Sequence, residues 1–140
     1  IEAMVFLTFF IPVLTGSGGN AGTQVSTTIV RSLATHELSP KDWLLVVRKE
    51  IVVGLIVGTI MAILAAGRAY FVDPNPQVLL TLGITMAAIV VAAVLICGLL
   101  PLALRKTGLD PALMSSPLIT TATDSLALLI YFEVALWLLM

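Results

Sequence analysis

The chain has 140 residues, of which 59% are hydrophobic and 11% charged, with a mean hydropathy of +1.13. Seven basic against eight acidic residues leave a formal net charge of −1, which argues against a nucleic-acid binder, while the hydrophobicity argues against disorder. One cysteine, Cys97, cannot close a disulfide within the chain, and one histidine, His36, cannot found a His-rich metal site. A single integral membrane domain, with the lipid bilayer as its surroundings, is what these figures leave.

The chain opens at Ile1 and shows no basic stretch followed by an A-x-A site, so the expectation is a fragment of a longer polypeptide rather than a leader. Four apolar stretches follow one another. The first is charge-free from Ala3 to Val30 but is interrupted in its middle by Gly16-Ser17-Gly18-Gly19-Asn20-Ala21-Gly22, which predicts a broken helix. The second follows Ser39-Pro40-Lys41-Asp42, which reads as a cap, a proline in the first turn and an acidic residue behind it. Its charge-free part, Ile51 to Gly67, is at the short end of the spanning range. The third follows the turn Asp73-Pro74-Asn75-Pro76 and is charge-free from Gln77 to Leu104; the fourth opens at Asp110-Pro111. Period-two alternation is absent and the runs are too long for membrane strands. The predicted fold is all-α, a polytopic transmembrane bundle with four helices visible.

Basic residues orient the helices. Arg31, Lys41, Arg48 and Lys49 flank the first turn, Arg105 and Lys106 the third, and the middle turn has only Arg68. The positive-inside rule then puts the first and third turns in the cytoplasm, with Ile1 and Met140 on the outer side of the cell membrane. One preceding helix, making five, would return the natural N-terminus to the inside. Trp43 and Trp137 stand where interfacial aromatics belong.

Asp124 is the sharpest chemical signal. Counted from Asp110 it lies fourteen residues into the fourth helix, roughly 21 Å along at 1.5 Å per residue and so near mid-bilayer. A carboxylate at that depth marks an ion or proton path by default. Thr120 and Thr121 share its face, and Pro117 one turn earlier is expected to free a carbonyl near Leu113. Carbonyls, hydroxyls and one carboxylate are the oxygen set that hard cations take. The alternative is a protonated Asp124 hydrogen-bonded to a neighbouring helix.

The glycine-rich segment is the second signal. Unwound backbone in a membrane must line a cavity or lie buried in protein, and after it Asn20, Thr23, Gln24, Thr27 and Arg31 form one polar face. Broken helices with polar faces recur at transporter ion sites. Close helix packing through small residues would explain the glycines but not the polar face. Gly54 and Gly58 read as a packing face, Cys97 as a small buried apolar residue, and His36 as a solvated turn residue. Glu133 lies near the outer end, and Asp110 reads as the cap of the fourth helix.

Two stretches carry a family resemblance. Pro12-Val13-Leu14-Thr15-Gly16-Ser17-Gly18-Gly19-Asn20-Ala21-Gly22-Thr23-Gln24, with Arg31-Ser32-Leu33-Ala34-Thr35, resembles the second transmembrane helix of the MgtE magnesium channel family. Gly108-Leu109-Asp110-Pro111-Ala112, with Ser116-Pro117-Leu118 and Thr123-Asp124, is similar to the start and middle of that family's fifth helix. Thr23 stands where some members carry asparagine. The resemblance runs over the whole chain and implies a magnesium-selective pore domain whose first helix, cytoplasmic N domain and CBS sensing domains lie outside this sequence. It implies a homodimer with the pore between two subunits. There Asp124 of both chains would hold a hydrated Mg2+, the transported ion, aided by the backbone carbonyl of Thr120. Gly16, Gly18, Gly19, Asn20, Thr23, Gln24, Thr27 and Thr121 would line the path, and Asp110 would serve a regulatory Mg2+ against the cytoplasmic domains.

The chemistry agrees with that expectation, because Mg2+ dehydrates reluctantly and is usually held through one or two carboxylates and retained waters. A sodium- or proton-coupled divalent cation exchanger is the competing transport reading. An intramembrane aspartyl protease needs two neighbouring aspartates, and one is present inside these stretches, so an enzyme is not expected.

Overall fold

The computed structural model describes residues 8–113 and 116–139; Ile1 and Met140, expected on the outer side, lie outside them. Four long helices follow in order: α1 Ile11–Ala34, α2 Trp43–Tyr70, α3 Pro76–Lys106 and α4 Ser116–Leu139, with short 3-10 turns at Pro40–Asp42 and Pro111–Leu113. Three of them, α2, α3 and α4, are long and apolar enough to cross a membrane. With 24 residues α1 has the length as well, and its polar stripe is what lowers its hydropathy.

Short-range chemistry sets the ends of these helices. The Ser39 backbone N–H and hydroxyl both donate to Asp42 Oδ2 at 2.8 Å, closing the turn that leads into α2. Asn75 Oδ1 accepts from the Gln77 N–H at 3.0 Å and Pro76 fills the first position of α3, so one orphan donor is satisfied and another is absent. At the other end of α3, Gly108 takes φ +83° and the Leu109 N–H reaches back to the Leu104 carbonyl at 3.0 Å, a closure that a residue without Cβ makes without strain.

The central element is α3. It packs against α2, α1 and α4, and α1 and α4 also pack on each other. Leu14, Val78, Leu82, Met86, Ile89, Val90, Ala127 and Tyr131 form the main apolar cluster. The α2–α3 contact is built on the predicted glycine pair. A Cβ on Gly54 would fall 2.7 Å from Val94 Cγ2, and one on Gly58 would fall 3.2 Å from the Ala87 carbonyl oxygen and 3.3 Å from its Cα. Backbone cannot step aside as a side chain can. Gly58→Leu is therefore expected to destabilise the folded protein by about 1–3 kcal/mol or more, read as a lowered thermal midpoint in detergent; an unchanged midpoint would contradict this packing.

Three sequence expectations are corrected. The glycine-rich segment does not break its helix, because α1 runs unbroken from Ile11 to Ala34. A continuous helix satisfies every interior backbone group, which membrane surroundings demand, and the glycines serve close approach instead. Asp110 does not cap the fourth long helix. Its Oδ1 accepts from the Ala112 N–H at 2.9 Å and caps the Pro111–Leu113 turn, while the described part of α4 runs from Ser116. Counted from Ser116, Asp124 is the ninth residue of α4, roughly 12 Å along and short of the middle of the described helix. Finally, Pro117 is the second residue of α4, where its missing N–H leaves no interior gap. Its own carbonyl accepts the hydroxyls of Thr121 at 2.8 Å and Thr120 at 3.1 Å.

Candidate functional site

The glycines of α1 bring it against Asp124. A Cβ on Gly19 would lie 3.4 Å from Thr120 Cγ2, 3.5 Å from Thr123 Oγ1 and 3.7 Å from Asp124 Oδ1, so Asp124 sits directly across from Gly19. One turn on, Gly22 is wedged between α3 and α4, its missing Cβ 2.8 Å from Cys97 Sγ and 3.1 Å from Thr123 Cγ2. Gly18 is buried against Ile89 and Ala93, facing the α3 core rather than the polar stripe. Gly16 meets nothing within 4 Å and is exposed.

Asn20, Gln24, Thr27 and Arg31 are exposed along α1, and Thr23 is half-buried among them. On α4, Asp124 and Thr120 are half-buried and Thr121 is exposed. The polar stripe of α1 thus lies exposed next to the Gly19–Asp124 contact with α4, while Gln24 on that stripe also lines a cavity toward α2. No hydrogen bond or ion pair from the described residues reaches the Asp124 carboxylate.

Most hydroxyls around the carboxylate have already placed their protons. Thr123, only 2% exposed, donates to the carbonyls of Ile119 at 2.9 Å and Thr120 at 3.0 Å. Thr27 donates to the Thr23 carbonyl at 2.8 Å, and Ser125 to the Thr121 carbonyl at 3.0 Å. Bonds of this kind leave only oxygen lone pairs for a further partner. The bonded hydroxyls nearest Asp124 therefore offer acceptors, which suits the water hydrogens of a hydrated cation, whereas Asn20, Gln24 and Arg31 farther along α1 carry donors. The Thr120 carbonyl shares its capacity with Thr123, so any role for it toward an ion competes with that bond. The hydroxyls of Thr23 and Ser26 on α1 and of Thr85 on α3 are buried without a hydrogen-bond partner among the described residues. No group of three or more His, Cys, Asp or Glu side chains converges among the described residues; one chain offers a single carboxylate at this contact. Asp110 is exposed on its turn.

One carboxylate escaped the sequence reading. Glu50 on α2 is 4% exposed; its Cγ lies 3.2 Å from where Gly98 would carry a Cβ. With Gln24, Thr28 and Lys49 it lines a cavity of about 230 Å³ between α1 and α2. The signal was available: Val46, Glu50, Gly54 and Gly58 recur every fourth residue, and all four are buried. Extending the glycine spacing by one turn lands on Glu50.

A helical membrane bundle that carries a carboxylate beside a helix's stripe of hydroxyls and amides has the layout of an ion-transport domain. Comparison with known proteins gives the particular kind. Residues 11–134 match the MgtE family, a family of divalent cation transporters, and the chain belongs to that family; it is a multi-pass membrane domain and not an enzyme. It is 45% identical over 135 residues to the magnesium transporter MgtE of Thermus thermophilus, an overlap covering 96% of this chain and 30% of that protein. The magnesium transporter MgtE of Bacillus subtilis is 30% identical over the same shares. That of Enterococcus faecalis is 33% identical over 92% of this chain and 28% of its own length. The chain thus spans under a third of the curated relatives it matches.

Proposed function

We propose that the chain is the pore-forming part of a magnesium channel, in which two copies pair along α1 and α4 and pass hydrated Mg2+ between them. The observation that carries this reading is the unpartnered Asp124 carboxylate beside Gly19, set among hydroxyls that present acceptor lone pairs. Two such carboxylates related by a twofold axis balance the charge of one divalent ion. Waters remain the ion's inner shell, as Mg2+ prefers, and a site that grips only through water also lets the ion leave. Asn20, Thr23, Gln24, Thr27 and Thr121 extend the polar lining above and below, and the Thr120 carbonyl joins when Thr123 releases it. The loops at Lys41 and Arg105 face the cytoplasm.

Planar-bilayer recordings of the protein at its full natural length test this. Current should reverse where the Mg2+ gradient alone dictates. A reversal potential that moves with sodium or with pH would replace the channel by a coupled exchanger.

We also propose that Asp110 contributes to a regulatory Mg2+ site facing cytoplasmic sensing domains outside this chain. An effector acts only through different affinity for open and closed states. Asp110→Ala in the full-length protein should shift closure by internal Mg2+ to higher concentration, by several-fold or more, in patch recordings over a series of internal Mg2+ concentrations. An unshifted curve would return Asp110 to the capping of its turn.

A further inference from the structure

The Pro40–Asp42 turn packs on α3 near its C-terminal end. Between them lies a cavity of about 710 Å³ lined by Ser39, Pro40, Lys41, Trp43, Arg105 and Lys106. A second, apolar groove of about 270 Å³ shares Pro40, Trp43 and Lys106 with it and continues over Leu99, Leu102 and Ala103. From Lys106 back to Leu99 is roughly 10 Å along the helix axis, so the groove runs from the basic rim into the hydrocarbon layer. Trp43, exposed and shared by both spaces, stands where an interfacial tryptophan belongs.

We infer that this paired space is a binding site for an anionic phospholipid, with the phosphate and headgroup against Lys41, Arg105 and Lys106 and an acyl chain along Leu99, Leu102 and Ala103. Three cations line one cavity and no acidic residue lines either. Among the described residues none of the three is held in an ion pair. The neighbouring acid, Asp42, is occupied by both donors of Ser39. Arg105 and Lys106 also complement the carbonyl end of α3, but Lys41 belongs to another element and is not accounted for in that way. A zwitterionic lipid would bring an ammonium group into a basic rim, and a soluble phosphate would leave the apolar groove empty. A lipid anion fills both spaces with one molecule, and basic pockets at helix ends are where such headgroups are held.

Native mass spectrometry of the full-length protein, released from membranes of equal phosphatidylglycerol and phosphatidylcholine, tests the site. Phosphatidylglycerol should be retained about tenfold over phosphatidylcholine, each cation supplying up to about fivefold. The K41Q/R105Q/K106Q variant should lose that preference, and K41R/R105K/K106R should keep it. Ala103→Trp fills the groove from an exposed position without touching charge, and should cut retention several-fold. Equal retention of the two lipids by the unaltered protein, or undiminished preference in the glutamine variant, would overturn the proposal. Should the glutamine variant fail to fold, the unaltered protein decides. Its thermal midpoint should rise with added phosphatidylglycerol and not with phosphatidylcholine or soluble glycerol phosphate. A rise that glycerol phosphate reproduces would reduce the site to a phosphate contact and overturn the lipid assignment.

Discussion

Asp124→Ala is expected to abolish Mg2+ uptake, at least about a hundredfold below the unaltered protein, in cells that have no other importer. The magnitude follows from the charges. A divalent ion about 4 Å from one carboxylate interacts with it by roughly 8 kcal/mol at an effective dielectric of about 20, and in a paired pore the substitution removes two such groups at once. The hydroxyls left behind are dipoles already tied to carbonyls, so they cannot supply the missing field. Asp124→Asn keeps the shape and one acceptor oxygen but removes the charge, and it should fail nearly as completely. Cells rescued by either variant at ordinary expression would remove Asp124 from the ion path. Because Asp124 has no partner among the described residues, neither substitution leaves a buried group among them stranded, and both proteins should fold with little change in thermal midpoint.

Much of the fold is legible because its signals are local. Ser39-Pro40, Asn75-Pro76 and Gly108 mark ends through cap and turn chemistry that involves only a few neighbouring residues. The glycine-rich segment shows where local reading fails. Each glycine inside a helix costs about 1 kcal/mol relative to alanine, which by itself argues for a break. What outweighs it is tertiary: Gly18 lets Ile89 in, Gly19 admits Asp124 and Thr120, and Gly22 fits between Cys97 and Thr123. Those contacts join α1 to residues seventy or more positions away, beyond any window of the sequence. The start of α4 is a different case. Asp110-Pro111 and Ser116-Pro117 are both start signals, and the first turned out to serve a single 3-10 turn. Asp124 and the polar stripe stand out because polar groups in apolar runs are conspicuous. Glu50, preceded by Arg48 and Lys49, looks like the edge of a helix and is instead in its packed face.

Two glycines separate the packing of one chain from the pairing of two. Gly22→Val places a branched side chain where Cys97 Sγ would stand 2.8 Å from its Cβ and Thr123 Cγ2 3.1 Å away. Either α1 retreats from α3 and α4, moving the face opposite Asp124, or the side chains there are displaced; overpacking of this kind costs about 1–3 kcal/mol. Both transport and the thermal midpoint should fall. Gly22→Ala should show a milder version that Cys97→Ala partly restores, since removing Sγ opens the space the new methyl needs. Gly16 is the opposite case, with nothing within 4 Å of its missing Cβ among the described residues. Gly16→Val should therefore leave the midpoint of the folded chain unchanged. If a second copy closes the pore along this stripe, the same substitution should lower Mg2+ uptake about tenfold and weaken pairing in crosslinking experiments. Unimpaired uptake and pairing in Gly16→Val would place the pore and the partner on some other face of the bundle. Loss of uptake with an unchanged midpoint has its explanation in a neighbour that the single chain does not contain.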